Sequence, residues 1–260
     1  MTGNKRKRGL VVQPRDMQLQ CELGVMRVID REQAKIVAGF GSTTRANARL
    51  LALTRAGLLR RFFLGNKRAL YALSEKGAQL AGVPLRGPRR RQNEILVADF
   101  FVEHQLAVND VYCALKYGAI PVAGVSFRRW LAFHEPITKN IRLIPDGYVE
   151  FATPREIFAA FLEVDLGHER GPVWKEKPKS YLQLALSGDF ERGFGTNRFR
   201  VLVLANSERR MHSLRKTVGA ITQKIFWFAT LGAIHDQGLF APVWYRATGE
   251  TPTQLIEEHQ

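Results

Sequence analysis

Between residues 15 and 81 the apolar runs are short and sharply punctuated. A first helix is predicted over 15–29. Asp30 caps a second over 31–38, and Gln33, three residues on, completes a capping-box pattern. Gly39-Phe40-Gly41 makes a turn, and Ser42 caps a third helix over 43–56. In that helix Ala46, Leu50 and Leu53 recur at helical spacing and should face a core. Gly57 stops it. In "LLRRFFLGNKRALYALS", Phe62/Leu64 and Leu70/Tyr71/Leu73 read as two strands joined at Gly65-Asn66. Ser74-Glu75-Lys76-Gly77 then opens a last short helix.

Beyond "PLRGPRRR", at 84–91, the periods lengthen. A long helix is predicted over 92–117, with strand-like runs at 122–133, 142–151 and 157–166. A helix over 172–186, a strand over 200–205, a helix over 208–224 and a strand over 225–231 follow. The first third has the element order of a winged helix-turn-helix. The remainder reads α-β-β-β-α-β, followed by one more helix and strand. The fold expected is a two-domain α+β protein. Its parts are a basic tail over 1–14, a winged helix over 15–84, a basic linker over 85–94, a mixed-sheet domain over 95–245 and a C-terminal tail over 246–260.

Charge sharpens this division. The chain has 260 residues and a formal net charge of +15. Residues 1–91 hold 20 basic and 5 acidic residues, whereas residues 92–260 hold 19 of each. The whole excess lies in the first third, which points to a polyanion-binding module joined to a neutral domain. In a winged helix the third helix enters the major groove. Its outward face offers Thr44, Arg45, Asn47 and Arg49, and Arg and Asn are the residues that read guanine and adenine edges. The hairpin offers Arg60, Arg61, Lys67 and Arg68 for phosphate or the minor groove. The expected partner is double-stranded DNA.

The neutral domain carries its acids in costly places. "RLIPDGYVEFATPREIFAAFLEVDLG" puts Asp146 in one strand run and Glu163 and Asp165 in the next, among Phe161, Leu162, Val164 and Leu166. Residues two apart on a strand share a face, so Glu163 and Asp165 point together and Asp146 can join them. Buried acids need cations. Mg²⁺ (or Mn²⁺) is a hard cation that takes one or two carboxylates with waters and phosphate oxygens, and an ion so held can polarise a phosphodiester. Asp146, Glu163 and Asp165 are therefore the expected metal ligands. Glu103 and Asp110, seven apart on the long helix, are candidates for an accessory ligand.

"PD" with Asp146, then Glu163-Val164-Asp165, in this element order, resembles the PD-(D/E)XK restriction-endonuclease fold. With the winged helix, "HQLAVNDVY" (104–112), "IPDGYVEF" (144–151), "FLEVDLG" (161–167) and "KEKPKSY" (175–181), the chain resembles the replication-relaxation family, which includes the MobC-type relaxases of mobilisable and conjugative elements. The resemblance spans about residues 15–205. It implies a relaxase or nicking endonuclease that binds a transfer or replication origin and cuts one strand by metal-assisted hydrolysis, alongside other mobilisation or replication proteins. The common pattern is Glu-x-Lys, and Asp165 stands where Lys would be. The missing charge is expected from the next helix: Lys177 first, with Tyr181 one turn later on the same face, and Lys175 and Lys179 behind it. Without such a lysine, the domain would be a catalytically dead nuclease in a DNA-binding regulator or replication accessory protein.

Several chemistries are disfavoured. The six histidines are scattered without a His-x-His pair, which argues against a tyrosine nucleophile beside a histidine-held metal. No GxxxxGK[ST] loop is present, so no ATP site is expected. Cys21 and Cys113 read as reduced core thiols, and Trp130, Trp174, Trp227 and Trp244 as core or domain-contact residues. The longest apolar run, 225–234, is too short to span a bilayer, and a cytoplasmic protein is expected.

Overall fold

The computed structural model describes residues 10–65, 68–86, 95–168 and 171–256. It divides into two compact units, Met1–Cys113 and Ala114–Gln260.

The first unit runs α1 (Pro14–Met26), β1 (Ile29–Asp30), α2 (Arg31–Ala38), α3 (Thr43–Arg55), β2 (Leu59–Leu64), β3 (Arg68–Leu73) and α4 (Glu75–Ala81). Its strands form an antiparallel sheet in the order β1-β3-β2. This is the helix, helix, turn, helix, hairpin order expected of a winged helix, with one addition. The pair Ile29–Asp30 forms a short strand on the hairpin, too brief for any periodicity to reveal. The caps act where the sequence places them. Asp30 Oδ1 accepts from Gln33 N at 2.8 Å while Gln33 Oε1 accepts from Asp30 N at 3.4 Å. Ser42 Oγ accepts from Arg45 N at 3.3 Å, and Ser74 Oγ from Gly77 N at 2.9 Å. Ala46, Leu50 and Leu53 are buried. Cys113 is buried but Cys21 is exposed, so only one of the two thiols is in a core.

α5 (Ile95–Tyr117) begins near the expected residue, yet most of it belongs to the first unit rather than the second. The cause is a set of buried polar bonds. Asn109 Nδ2 donates to the carbonyls of Met26 (3.1 Å) and Val28 (2.6 Å). Gln33 Nε2 donates to Leu106 O at 2.9 Å, and Tyr112 Oη to Glu22 Oε2 at 2.6 Å. Val102 and Leu106 pack with Val28 and Leu70, against Phe62 and Leu64 of the hairpin. Burying those amides elsewhere, without partners, would cost about 1–3 kcal/mol each.

The second unit is built on a six-stranded mixed sheet, in the order β4 (Ser126–Leu131), β5 (Gly147–Ala152), β6 (Ile157–Asp165), β7 (Arg200–Ala205), β8 (Phe226–Thr230) and β9 (Tyr245–Arg246). β4, β5 and β6 are antiparallel; β6, β7 and β8 are parallel; β9 is antiparallel to β8. α6 (Gly171–Leu186), α7 (Asp189–Phe194), α8 (Glu208–Gly219) and α9 (Leu231–Gln237) complete it. β6 is central and buried along nearly its whole length, which is why residues 157–162 read as an unbroken apolar run. Tyr148, Phe161, Trp174, Tyr181, Phe190 and Phe199 form a core on one face of the sheet. β5 is shorter than the 142–151 run, so Asp146 stands just before the strand rather than in it, held by Asp146 N donating to Leu162 O at 3.1 Å. The segment expected to be a tail folds back: Thr253 bridges to Trp244, and Leu255 is buried. Among the described residues, no helix is long and apolar enough to cross a membrane.

Candidate nucleic-acid interface and candidate active site

On the first unit, α3 presents Thr44, Arg45 and Asn47 to solvent. Arg49 departs from expectation. Its guanidinium donates to Asp16 Oδ1 at 2.8 Å and to Val11 O at 2.7 Å, and bonds Asp16 Oδ2 as well. Asp16 is fully buried. Burial pushes its carboxyl up, but the Arg49 hydrogen bonds and the Gln13 N–H outweigh that and hold it below its ordinary value. Arg49 thus ties α3 to α1, and of the four residues expected to read bases only Thr44, Arg45 and Asn47 stand outward.

The hairpin residues also divide. Arg68 pairs with Asp30, Nε at 3.1 Å and Nη2 at 2.5 Å from Oδ2. Arg60 donates to Leu73 O at 3.1 Å. Arg61 lies over the Phe63 ring, 4.8 Å from its centroid, with its side chain outward. Lys67 lies outside the described residues. Asp110 accepts from Gln33 Nε2 at 2.6 Å and Glu103 is exposed, both on the part of α5 that belongs to this unit. Asp110 therefore serves the α2–α5 contact.

In the second unit the acids sit at the end of β6. Gly147 permits the close approach there, since a Cβ on it would stand 2.2 Å from the Trp130 ring. Asp146, immediately before it, turns its carboxylate onto the β6 backbone, where Val164 N donates to Oδ2 at 2.7 Å. Glu163 is buried. Its Oε2 accepts from Lys177 Nζ at 2.8 Å and its Oε1 from Tyr181 Oη at 2.6 Å. Lys177 and Tyr181 are one turn apart on α6, and Pro178 is accommodated within that helix. Lys175 is exposed, and Lys179 pairs with Glu176 at 2.8 Å on the surface. Burial pushes the Glu163 carboxyl up to about 7; Lys177 opposes the rise and the charge of Asp146 adds to it.

Asp165 faces the same side but has a different environment. Its two oxygens accept from Arg210 Nε (2.9 Å) and Nη2 (2.8 Å), Trp174 Nε1 (2.6 Å) and Gly167 N (2.7 Å). Gly167 has φ +86, a backbone conformation that favours glycine. Burial would raise this carboxyl, but the Arg210 fork, then Gly167 and Trp174, hold it below its ordinary value. Four donors occupy the roughly four lone-pair sites of a carboxylate, so Asp165 is an anchor between β6, α6 and α8, not a ligand. Among the described residues, no group of three or more Asp, Glu, His or Cys is placed to hold a metal ion. The three acids expected as ligands are therefore not assembled around one point; Asp146 stands close enough to Glu163 for its charge to act on that carboxyl.

Arg210 escaped the sequence reading; Trp174 is in the core, as expected, but its Nε1–H bond to Asp165 was not foreseen. Arg210 is in the first turn of α8, three residues after the Ser207 cap, and spacing does not say which strand end that turn faces. Glu150 was also missed. It is buried on β5, bonded by Arg129 Nη2 (2.6 Å) and Tyr148 Oη (2.7 Å), with Arg128 Nε at 3.3 Å.

Among solved structures, restriction endonuclease FokI shows 11% identity and a TM-score of 0.35, over 86% of this chain and 43% of its own length. The chain thus spans less than half of that enzyme, and a superposition this loose bears on no residue of the site. No curated protein matches the chain. Residues 23–198 match the replication-relaxation family, and this stretch contains α3, the hairpin, Asp146, Glu163, Lys177 and Tyr181. With well over half of its length so matched, the chain belongs to the replication-relaxation family.

Proposed function

We propose that this protein is a relaxase-type nicking endonuclease of a plasmid or mobile element. The first unit binds double-stranded DNA at a transfer or replication origin, and the second cuts one strand by metal-assisted hydrolysis. The observation that carries the reading is the Asp146–Glu163–Lys177 constellation. One acid is raised to about 7 by burial and by a second acid beside it, with a lysine on one of its oxygens.

The residues fit a divalent cation. Two carboxylates, one resisting ionisation chiefly because it is buried and to a lesser degree because of the other's charge, are relieved by a positive ion, and Mg²⁺ accepts one or two carboxylates. Asp146 and Glu163 would hold Mg²⁺ or Mn²⁺, which would supply Lewis-acid polarisation of the scissile phosphate. Tyr181 orients Glu163 through its 2.6 Å bond. Lys177 places a positive charge where the attacked phosphate gathers negative charge. Tyr181 is wholly buried with its hydroxyl on Glu163, which favours water over tyrosine as nucleophile.

A second reading has its own observation. Both Glu163 oxygens already accept from this chain, as a buried structural ion pair would. The unit would then be a dead nuclease in a DNA-binding regulator or replication accessory protein. Supercoiled plasmid carrying the cognate origin separates the two. The nicking reading expects open-circle product with Mg²⁺, none with chelator, and DNA extractable by detergent and phenol without protease. Intact plasmid supports the second reading. DNA left covalently on the protein, lost in Tyr181→Phe, overturns hydrolysis.

A further inference from the structure

At the opposite end of β6 from Glu163 lies a cavity of about 630 Å³. It is bordered by the β5–β6 turn, the first residues of β6, β7 and β8, and β9. Its polar lining is almost all donor. Arg200, Trp227, Arg246 and Arg155 border it, against one carboxylate, Glu156. Two of these donors are buried without an acceptor, Arg200 Nε and Trp227 Nε1. Trp227 is 4% exposed. A buried N–H left unpaired costs about 1–3 kcal/mol, so two on one cavity call for an explanation. The indole ring is enclosed: the Arg246 guanidinium stacks on it 3.5 Å from the centroid, and that of Arg200 lies 5.9 Å away. The ring is therefore not a free stacking platform, and its N–H lies buried beside the cavity. Phe158 and Leu255 supply apolar wall.

Unpaired donors and a surplus of guanidinium groups select an anion rich in acceptor oxygens, and Arg is suited to phosphate. The volume lies within the roughly 300–1,000 Å³ of small-molecule sites and exceeds what a phosphate group needs, leaving the apolar wall for a planar ring. We infer that this cavity is a nucleotide pocket. Arg200, Trp227 and Arg155 would take the phosphate of a nucleoside monophosphate, and the wall at Phe158 and Leu255 would take its base. The nucleotide is either free or the 5′-phosphorylated end of a DNA strand. The inference is independent of the acid site, since no residue is shared.

Calorimetric titration of the full-length protein with dAMP, deoxyadenosine and inorganic phosphate tests it. dAMP should bind with Kd below about 1 mM, and the nucleoside and phosphate each at least roughly tenfold more weakly. Arg155→Ala, at an exposed position, should weaken dAMP several-fold. Arg200→Gln and Trp227→Phe should weaken it about tenfold, with melting curves confirming that each variant is folded. A 5′-phosphorylated tetranucleotide is compared with its 5′-hydroxyl form. A gain from the phosphate that disappears in Arg155→Ala and Arg200→Gln identifies a strand end; preference for dAMP alone identifies the free nucleotide. No dAMP binding, equal binding of phosphate alone, or dAMP affinity unchanged in all three variants overturns the inference.

Discussion

Glu163 and Asp165 are two residues apart on one strand face, and their surroundings drive them in opposite directions. The four donors on Asp165 make it a structural anchor. Asp165→Asn leaves Arg210 facing a neutral amide and should cost roughly 3 kcal/mol in urea unfolding, the scale for breaking a buried pair. Glu163→Gln removes a carboxylate that burial disfavours and should cost far less stability while abolishing cutting. The pH dependence follows from the same contrast. The folded state keeps a proton on Glu163 up to about pH 7, whereas an unfolded Glu loses it near 4.5. Stability therefore falls as pH rises through that window. Asp165 is depressed, so its contribution is present above its unfolded value of 3.8 and is lost as pH falls through the folded one. Urea titrations from pH 3 to 8 should show both slopes, and Glu163→Gln should lack the upper one. The sequence made these two acids visible because carboxylates stand out in an apolar strand. It did not distinguish their roles, because these depend on Arg210 and Trp174, brought in by helices whose facing no local pattern encodes.

At the scale of elements, the caps were legible because they are local: Asp30 with Gln33, Ser42 and Ser74 each bond within three residues. Arg49 was misread because its partner, Asp16, is 33 residues away. The consequence is testable on α3. Arg45→Ala or Asn47→Ala should relax sequence preference, by about 1–3 kcal/mol at a contacted base pair, in competition binding assays. Arg49→Ala should instead lower the melting temperature and weaken all sequences alike, because it leaves the buried Asp16 uncompensated. α5 shows the same limit. Its apolar stripe was readable, but which unit it would cover rested on Asn109 and Tyr112 finding partners on α1 and the residues after it, and on Gln33 of α2 reaching Leu106 and Asp110.

At the scale of the whole molecule, the proposed function assigns the holding of DNA to the first unit, because the basic excess is concentrated in residues 1–91. Because α5 covers the hairpin core, a fragment of residues 1–117 should be monomeric and folded, whereas 1–91 should expose Val28, Leu70 and Phe62 and aggregate; light scattering and circular dichroism distinguish them. The 1–117 fragment should bind DNA with affinity falling steeply with salt, as counterions are released.

Binding should then be separable from cutting, and parallel measurement of plasmid nicking and origin-DNA affinity in Asp146→Asn, Glu163→Gln and Lys177→Met tests this directly. Wild-type protein with Mg²⁺ should nick supercoiled origin plasmid. Each variant should lose at least about a hundredfold in nicking rate, the scale of a lost general acid–base or charge-stabilising group, with affinity within about twofold. Nicking that persists in all three variants, or that falls only in step with DNA affinity, would contradict the account.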